Sequence, residues 1–171
     1  MKFTLALCTY NRAALLERAL ASLADCSQPE GEWELLLVDN NSSDGTRQVA
    51  ASFDGRLPVR YVFERTQGLS AARNRALREF RGEVLLFTDD DLRFESDWLR
   101  SYESAFLAHA DCGWFGGRIL PWWEHGKPGW LHDERMALIE GLLVHYDLGA
   151  TDREYGMEDK SPFGASFALR R

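Results

Sequence analysis

The stretch that most constrains this chain is Glu83-Val84-Leu85-Leu86-Phe87-Thr88-Asp89-Asp90-Asp91. Its apolar run is short and unbroken, which is the pattern of a strand covered on both faces. The run then ends in three consecutive carboxylates. Adjacent aspartates repel one another, and a charge at the edge of an apolar interior needs a partner. Three of them at the mouth of a strand predict a bound cation. Mg²⁺ or Mn²⁺ suits best, because hard ions take oxygen ligands. A solvated acidic turn would carry the same letters, so the neighbouring segments have to decide.

Those segments alternate. A strand is predicted from Phe3 to Cys8, followed by a helix with Asn11 as its N-cap and with Leu15, Leu16, Ala19, Leu20 and Leu23 on one face. A second strand, Glu34 to Val38, leads through Asp39-Asn40-Asn41-Ser42-Ser43-Asp44-Gly45 to a helix from Thr46 to Phe53. A third strand, Val59 to Phe63, precedes a helix opening at Gly68 and closing near Phe80. After the acidic strand, Ser96 is the expected cap of a fourth helix reaching Ala108, and a fifth strand runs from Cys112 to Phe115. Apolar strands alternating with amphipathic helices predict an α/β fold: a mostly parallel sheet with helices on both faces.

The 171 residues suit one domain, and a net charge of −7 leaves no excess cations for a general nucleic-acid binder. No stretch reaches the length of a membrane span. The start lacks the apolar run and cleavage site of a signal peptide. Cys8, Cys26 and Cys112 have neither zinc nor disulfide spacing, so reduced thiols in a cytoplasmic protein are expected.

In open parallel sheets ligands bind beyond the carboxyl ends of the strands. Three strands here end in concentrated polarity: Thr9-Tyr10-Asn11, Asp39 to Asp44, and Asp89 to Asp91. Asp39 is thereby a candidate acceptor for a nucleotide's base or ribose. Arg73 falls near the centre of an apolar face made by Leu69, Ala72, Ala76, Leu77 and Phe80, with Arg75 and Arg78 pointing away. A guanidinium on the sheet side of a helix must meet an anion. Asp39, the Asp89–Asp91 cluster and a bound phosphate all remain open as its partner. The chain contains neither a Gly-x-Gly-x-x-Gly nor a Gly-x-x-x-x-Gly-Lys-Ser/Thr run, which argues against a Rossmann dehydrogenase and a P-loop ATPase.

Thr9-Tyr10-Asn11-Arg12, Val38-Asp39-Asn40-Asn41-Ser42-Ser43-Asp44-Gly45-Thr46, Gly68-Leu69-Ser70-Ala71-Ala72-Arg73-Asn74 and Thr88-Asp89-Asp90-Asp91 resemble, in order and spacing, the motifs of the family 2 glycosyltransferases. Ser161-Pro162-Phe163-Gly164-Ala165-Ser166-Phe167-Ala168-Leu169-Arg170-Arg171 resembles a later motif of that family. The resemblance implies the A-type glycosyltransferase fold. It implies metal-dependent, inverting transfer of a sugar from a UDP- or GDP-type donor to a glycan or lipid-linked acceptor, in glycan or polysaccharide assembly. Peripheral association with the inner face of a membrane would be compatible with that work. By the same resemblance, contacts to the nucleotide-sugar fall on Thr9, Tyr10, Asn11 and Arg12, on Asp39, Asn41 and Asp44, on Arg73, and on Asp89 and Asp90. The Asp-x-Asp function falls on Asp89 and Asp91, which would bind Mn²⁺ or Mg²⁺. The whole of 1–171 then reads as one catalytic domain truncated at its C-terminal end, with 1–118 binding the donor and 119–171 beginning the acceptor part.

The family's catalytic base lies downstream of the last motif, so it is expected beyond Arg171, with Glu158 and Asp159 as weaker candidates and Asp147 and Asp152 weaker still. Trp114, Trp122, Trp123 and Trp130 offer rings for stacking on a sugar. His125, His132 and His145 could add a metal or diphosphate contact, and Lys160, Arg170 and Arg171 a phosphate contact. Two alternatives stay open: a sugar nucleotidyltransferase using the same metal cluster, and a catalytically silent sugar-nucleotide-binding module.

Overall fold

The structure is a computed structural model, and it describes residues 2–132, 144–149, 151–156, 158–159 and 161–171. The alternation expected from the sequence is present as β1 (Phe3–Thr9), α1 (Ala13–Ala24), β2 (Trp33–Asp39), α2 (Thr46–Ser52), β3 (Val59–Phe63), α3 (Leu69–Glu79), β4 (Val84–Asp89), α4 (Trp98–Ala108) and β5 (Trp114–Gly116). A further strand, β6 (Ser166–Arg170), closes the chain. The strands form one sheet in the order β3-β2-β1-β4-β6-β5. The first four in that order run parallel, whereas β6 is antiparallel to both β4 and β5. The sequence pattern does not announce β6, which inserts between β4 and β5 and places the last motif beside the acidic strand.

This topology fixes where a ligand sits. β2 and β3 lie on one side of β1, and β4 lies on the other. Strand order reverses between β1 and β4, and the crevice beyond their carboxyl ends is the switch point of the sheet. The register sets Cys8 beside Asp89 and Thr9 beside Asp39.

Both faces are covered, because the strands bury alternate residues on opposite sides. Phe3, Leu5, Leu7, Leu35, Leu37 and Leu86 pack against Leu16, Leu20 and Leu23 of α1 and Leu99 and Phe106 of α4. Ala6, Cys8, Leu36, Val38, Leu85 and Phe87 pack against Ala72 and Ala76 of α3. The small residues on both sides of that second contact let α3 approach the sheet closely.

The apolar face expected for α3 is narrower than the sequence suggests. Ala72 and Ala76 are buried, but Leu69 is 54% and Leu77 44% exposed. At about 100° per residue, Leu77 lies roughly 120° from the Ala72–Ala76 stripe, and Arg73 lies on its flank, not at its centre. Leu69 is nearer the stripe but sits in the first turn, at the mouth of the site cavity.

Two expected caps are also corrected. Asn11 does not cap α1; it adopts a left-handed conformation, φ 49°, and Arg12 occupies the N-cap position without a side-chain bond. The cap comes from another loop. Asp44 Oδ2 accepts the Ala13 N–H at 2.9 Å, while its Oδ1 accepts the Thr46 N–H at 3.0 Å and the Thr46 hydroxyl at 2.6 Å. One carboxylate thus serves the starts of both α1 and α2. The Thr46 hydroxyl, and then these backbone donors, hold it below the usual carboxylate range against a smaller upward push from desolvation. At α4 the N-cap position is Asp97. Ser96 instead offers its carbonyl to the Ser27 N–H at 2.7 Å.

Candidate active site at the carboxyl ends of β1 and β4

A cavity of about 360 Å³ opens at the switch point. Cys8, Thr9, Tyr10 and Arg12 form one wall and Asp89, Asp90 and Asp91 another; Asn40 and the start of α3 complete it. Four of the motif segments noted in the sequence therefore meet in one hollow.

The triplet does not act as a unit. Asp90 is only 3% exposed, because its side chain turns back into the protein. Its Oδ2 accepts the Thr9 hydroxyl at 2.6 Å, and its Oδ1 lies 3.1 Å from Arg12 Nη1. This aspartate ties the end of β4 to the end of β1. Asp91 is half-exposed and meets the same Arg12 nitrogen at 3.0 Å. Asp89 points to the α3 side, where Arg73 Nη2 lies 3.5 Å away. Burial lifts the Asp89 carboxyl above its ordinary range; Arg73 pulls it down, and Asp91 and Asp90 push it further up. Its negative charge is therefore under-compensated.

Arg73 is backed by the last motif. A Cβ built on Gly164 would come within 2.6 Å of Arg73 Nη2, so the guanidinium lies against that glycine and a larger residue there would have to push it aside. The last motif, brought in by β6, thus backs the arginine that faces the acidic strand.

The second motif serves as a frame. Asp39 is 2% exposed, with Oδ2 accepting the Tyr61 hydroxyl at 2.5 Å and Oδ1 accepting the Ser42 N–H at 2.8 Å. Asn41, at φ 67°, turns the chain so that Ser42 can reach back. Asn11 Oδ1 accepts the Ser43 N–H at 2.8 Å, which ties the first polar loop to the second. Of this segment, Asn40 is the residue that lines the cavity. Its Nδ2 donates to the Thr66 carbonyl at 2.6 Å, and its Oδ1 accepts the Gly68 N–H at 2.7 Å. Asn40 so fixes the entry to α3, where Gly68 has φ 128°, a conformation that favours glycine. Asn40 and Gln67 were missed as site residues. A polar residue directly after a strand end and another directly before Gly68 were the available signals.

Other expected residues lie elsewhere. Glu158 and Asp159 line a separate hollow with His145, Tyr146, Asp147 and Leu148. Asp159 is engaged by Arg153 and by the Gly156 N–H at 2.6 Å. Asp147 pairs with Arg118 at 3.9 Å, and Asp152 is exposed. The guanidinium of Arg170 donates to the carbonyls of Phe106 and Ala110, and Arg171 stacks over Phe80, so neither reaches the cavity. Trp114 packs on Tyr155, Arg93 stacks over Trp122, and Trp130 is exposed; none of the four expected tryptophans lines the cavity. His125 is exposed. The side chain of His132 and all of Lys160 lie outside the described residues. All three cysteines are free thiols. Cys8, on the cavity wall, is pushed up to about 12 by burial, so it is an inert surface there.

Among the described residues no three His, Cys, Asp or Glu side chains gather closely enough to hold a metal ion by themselves. No helix among them is long and apolar enough to cross a membrane.

The sequence profile described as Glycosyl transferase family 2 matches residues 4–140. The uncharacterized glycosyltransferase YfnE of Bacillus subtilis is 28% identical over 99% of this chain and 44% of its own length. The crystal structure of S. aureus TarS in complex with UDP-GlcNAc superposes with a TM-score of 0.67 at 28% identity, covering 75% of this chain and 37% of that one. A mannosyltransferase from Pyrobaculum calidifontis, in complex with GDP-Man and Mn²⁺, gives a TM-score of 0.59 at 30% identity over 67% of this chain and 34% of that one. The chain thus spans less than half the length of each of these proteins.

Proposed function

The chain belongs to glycosyl transferase family 2, and from that premise we propose that it forms the donor-binding part of a metal-dependent inverting glycosyltransferase. The donor is a nucleoside-diphosphate sugar, of the UDP or GDP type, and the sugar passes to an acceptor hydroxyl in glycan or polysaccharide assembly. The observation that carries this reading is the placement of Asp89 and Asp91 on one wall of a cavity at the β1/β4 switch point, with Arg73 3.5 Å behind Asp89. The two structural relatives were solved with UDP-GlcNAc and with GDP-Man and Mn²⁺, which supports a nucleotide-sugar in this hollow.

The residues fit a hard divalent cation. Asp89 carries a charge whose ion pair with Arg73 is long, at 3.5 Å, and Asp91 is half-exposed and paired with Arg12. Two carboxylates are a sufficient protein contribution, because Mg²⁺-type sites are completed by substrate phosphates and water. When bound, the cation supplies positive charge against the charge that grows on the leaving diphosphate.

The chain's own groups do the rest. Asp90 locks Arg12 and Thr9 in place and so fixes the distance between the ends of β1 and β4. Arg73, kept planar against Gly164, presents a guanidinium to the anionic end of the donor. Asn40 and Gly68 hold the first turn of α3 at the rim, while Tyr10 and Leu69 offer apolar surface to a base. Thr9, Asp90, Asn40 and Gly68 are held by these bonds before the donor arrives, so this frame needs little reorganisation during transfer.

Calorimetry with UDP, GDP and CDP, each with and without Mn²⁺, tests the reading. One nucleoside diphosphate is expected to bind, at least about tenfold more tightly with Mn²⁺ than without it. Failure of all three to bind, or binding indifferent to Mn²⁺, would remove the proposal.

A further inference from the structure

Resting on that functional reading, we propose that Arg12 is a built-in stand-in for the cation, which must leave Asp91 when the metal arrives and thereby couples metal binding to diphosphate binding. A single nitrogen, Arg12 Nη1, bridges Asp90 Oδ1 at 3.1 Å and Asp91 Oδ2 at 3.0 Å. Arg12 thus already occupies an oxygen of Asp91, one of the two carboxylates assigned above to the cation. The two carboxylates that Arg12 bridges are not equivalent. Asp90 is buried and has its other oxygen on the Thr9 hydroxyl, so it cannot follow an incoming ion. Asp91 is 47% exposed on its side chain and can exchange one cation for another. Arg12 itself is half-exposed at the start of α1, with its guanidinium at the cavity wall.

Charge decides the order of events. Three carboxylates against the guanidiniums of Arg12 and Arg73 leave one net negative charge at the site. A diphosphate alone meets that like charge. A divalent ion alone turns the site net positive and displaces Arg12 from Asp91. Bound together, the ion's charge and the diphosphate's offset each other, and Arg12, still anchored on Asp90, is released toward the diphosphate. Each ligand therefore favours the other, and the coupling is reciprocal.

The test is Mn²⁺ binding to the full chain, read from the loss of the free-ion electron paramagnetic resonance signal, without nucleotide and with UDP or GDP. Arg12→Gln should bind Mn²⁺ alone more tightly than the native chain, by about tenfold, because a competing charge is gone. In the same variant the tightening of Mn²⁺ by the nucleotide should shrink by a similar factor. Arg12→Lys keeps the charge and should restore weak Mn²⁺ binding and most of the coupling. A residue with only a structural role would not make metal binding tighter when removed. Unchanged or weaker Mn²⁺ binding by Arg12→Gln, with nucleotide coupling intact in the native chain, overturns this inference alone. Absence of coupling in the native chain overturns it together with the functional reading.

Discussion

Replacing Asp89 and Asp91 together by asparagine is expected to weaken Mn²⁺-dependent nucleotide binding at least about 100-fold while leaving the chain folded. Asparagine keeps the size and one acceptor oxygen of aspartate and removes its charge. Both positions stand at the cavity wall, and among the described residues their ion pairs are with partly exposed guanidiniums, Arg73 at 3.5 Å and Arg12 at 3.0 Å. Pairs of that kind contribute at most about 1 kcal/mol each. Asp89 is already held above the usual carboxylate range by burial, so neutralising it relieves part of a desolvation penalty. A thermal melt near that of the native chain, with binding lost, is the predicted combination. Binding that survives both replacements would show that these carboxylates do not hold the cation.

Asp39→Ala is expected to have the opposite profile, a loss of roughly 2–4 kcal/mol of stability, read as a lower midpoint in urea. The carboxylate is almost wholly buried and both of its oxygens are engaged, one by the Tyr61 hydroxyl and one by the Ser42 N–H. Removing it leaves two part-buried donors without their acceptor and frees the turn that carries Asn40 and Asn41. Burial and the bond to Asp39 push the Tyr61 hydroxyl far above its ordinary range, so that proton stays available to the carboxylate throughout the working pH span. For a domain of this size the melting temperature should fall by roughly 5–10 °C. Asp39→Asn keeps the acceptor for Ser42 and should lose less. Native stability in Asp39→Ala, with nucleotide binding abolished, would make this aspartate a ligand contact in place of a frame.

The fold was legible because its signals are local. Unbroken apolar runs such as Leu35 to Val38 and Val84 to Phe87 can only be buried strands when helices alternate with them, and the sheet order then places polar strand ends together. The candidate cavity was legible to the level of segments, since Thr9, Tyr10 and Arg12 and Asp89, Asp90 and Asp91 line it together. What stayed hidden depends on pairings between distant residues. Nothing near Ala13 shows that Asp44, thirty-one positions on, will cap its helix. The alternation that marks a half-buried strand is weak in Ser166–Arg170, and its place between β4 and β5 comes from hydrogen bonding across the sheet. Side-chain direction was equally out of reach. Three identical aspartates in a row go three ways, because only Asp90 finds a hydroxyl and a guanidinium on the inner side. Arg73 was recognised as a charge needing an anion, but its contact with Gly164 joins residues that only the fold brings together.

Everything proposed for this cavity depends on the aspartates closing β4 holding a divalent ion shared with a diphosphate. Anomalous scattering from crystals of the chain grown with Mn²⁺ and the nucleoside diphosphate it binds would locate that ion. The predicted result is one strong manganese peak at about 2.1–2.2 Å from oxygens of Asp89 and Asp91 and in contact with phosphate oxygens, with Arg12 withdrawn from Asp91. A nucleotide in the cavity with no manganese peak beside these carboxylates, or a peak at the hollow lined by Glu158 and Asp159 instead, would contradict it.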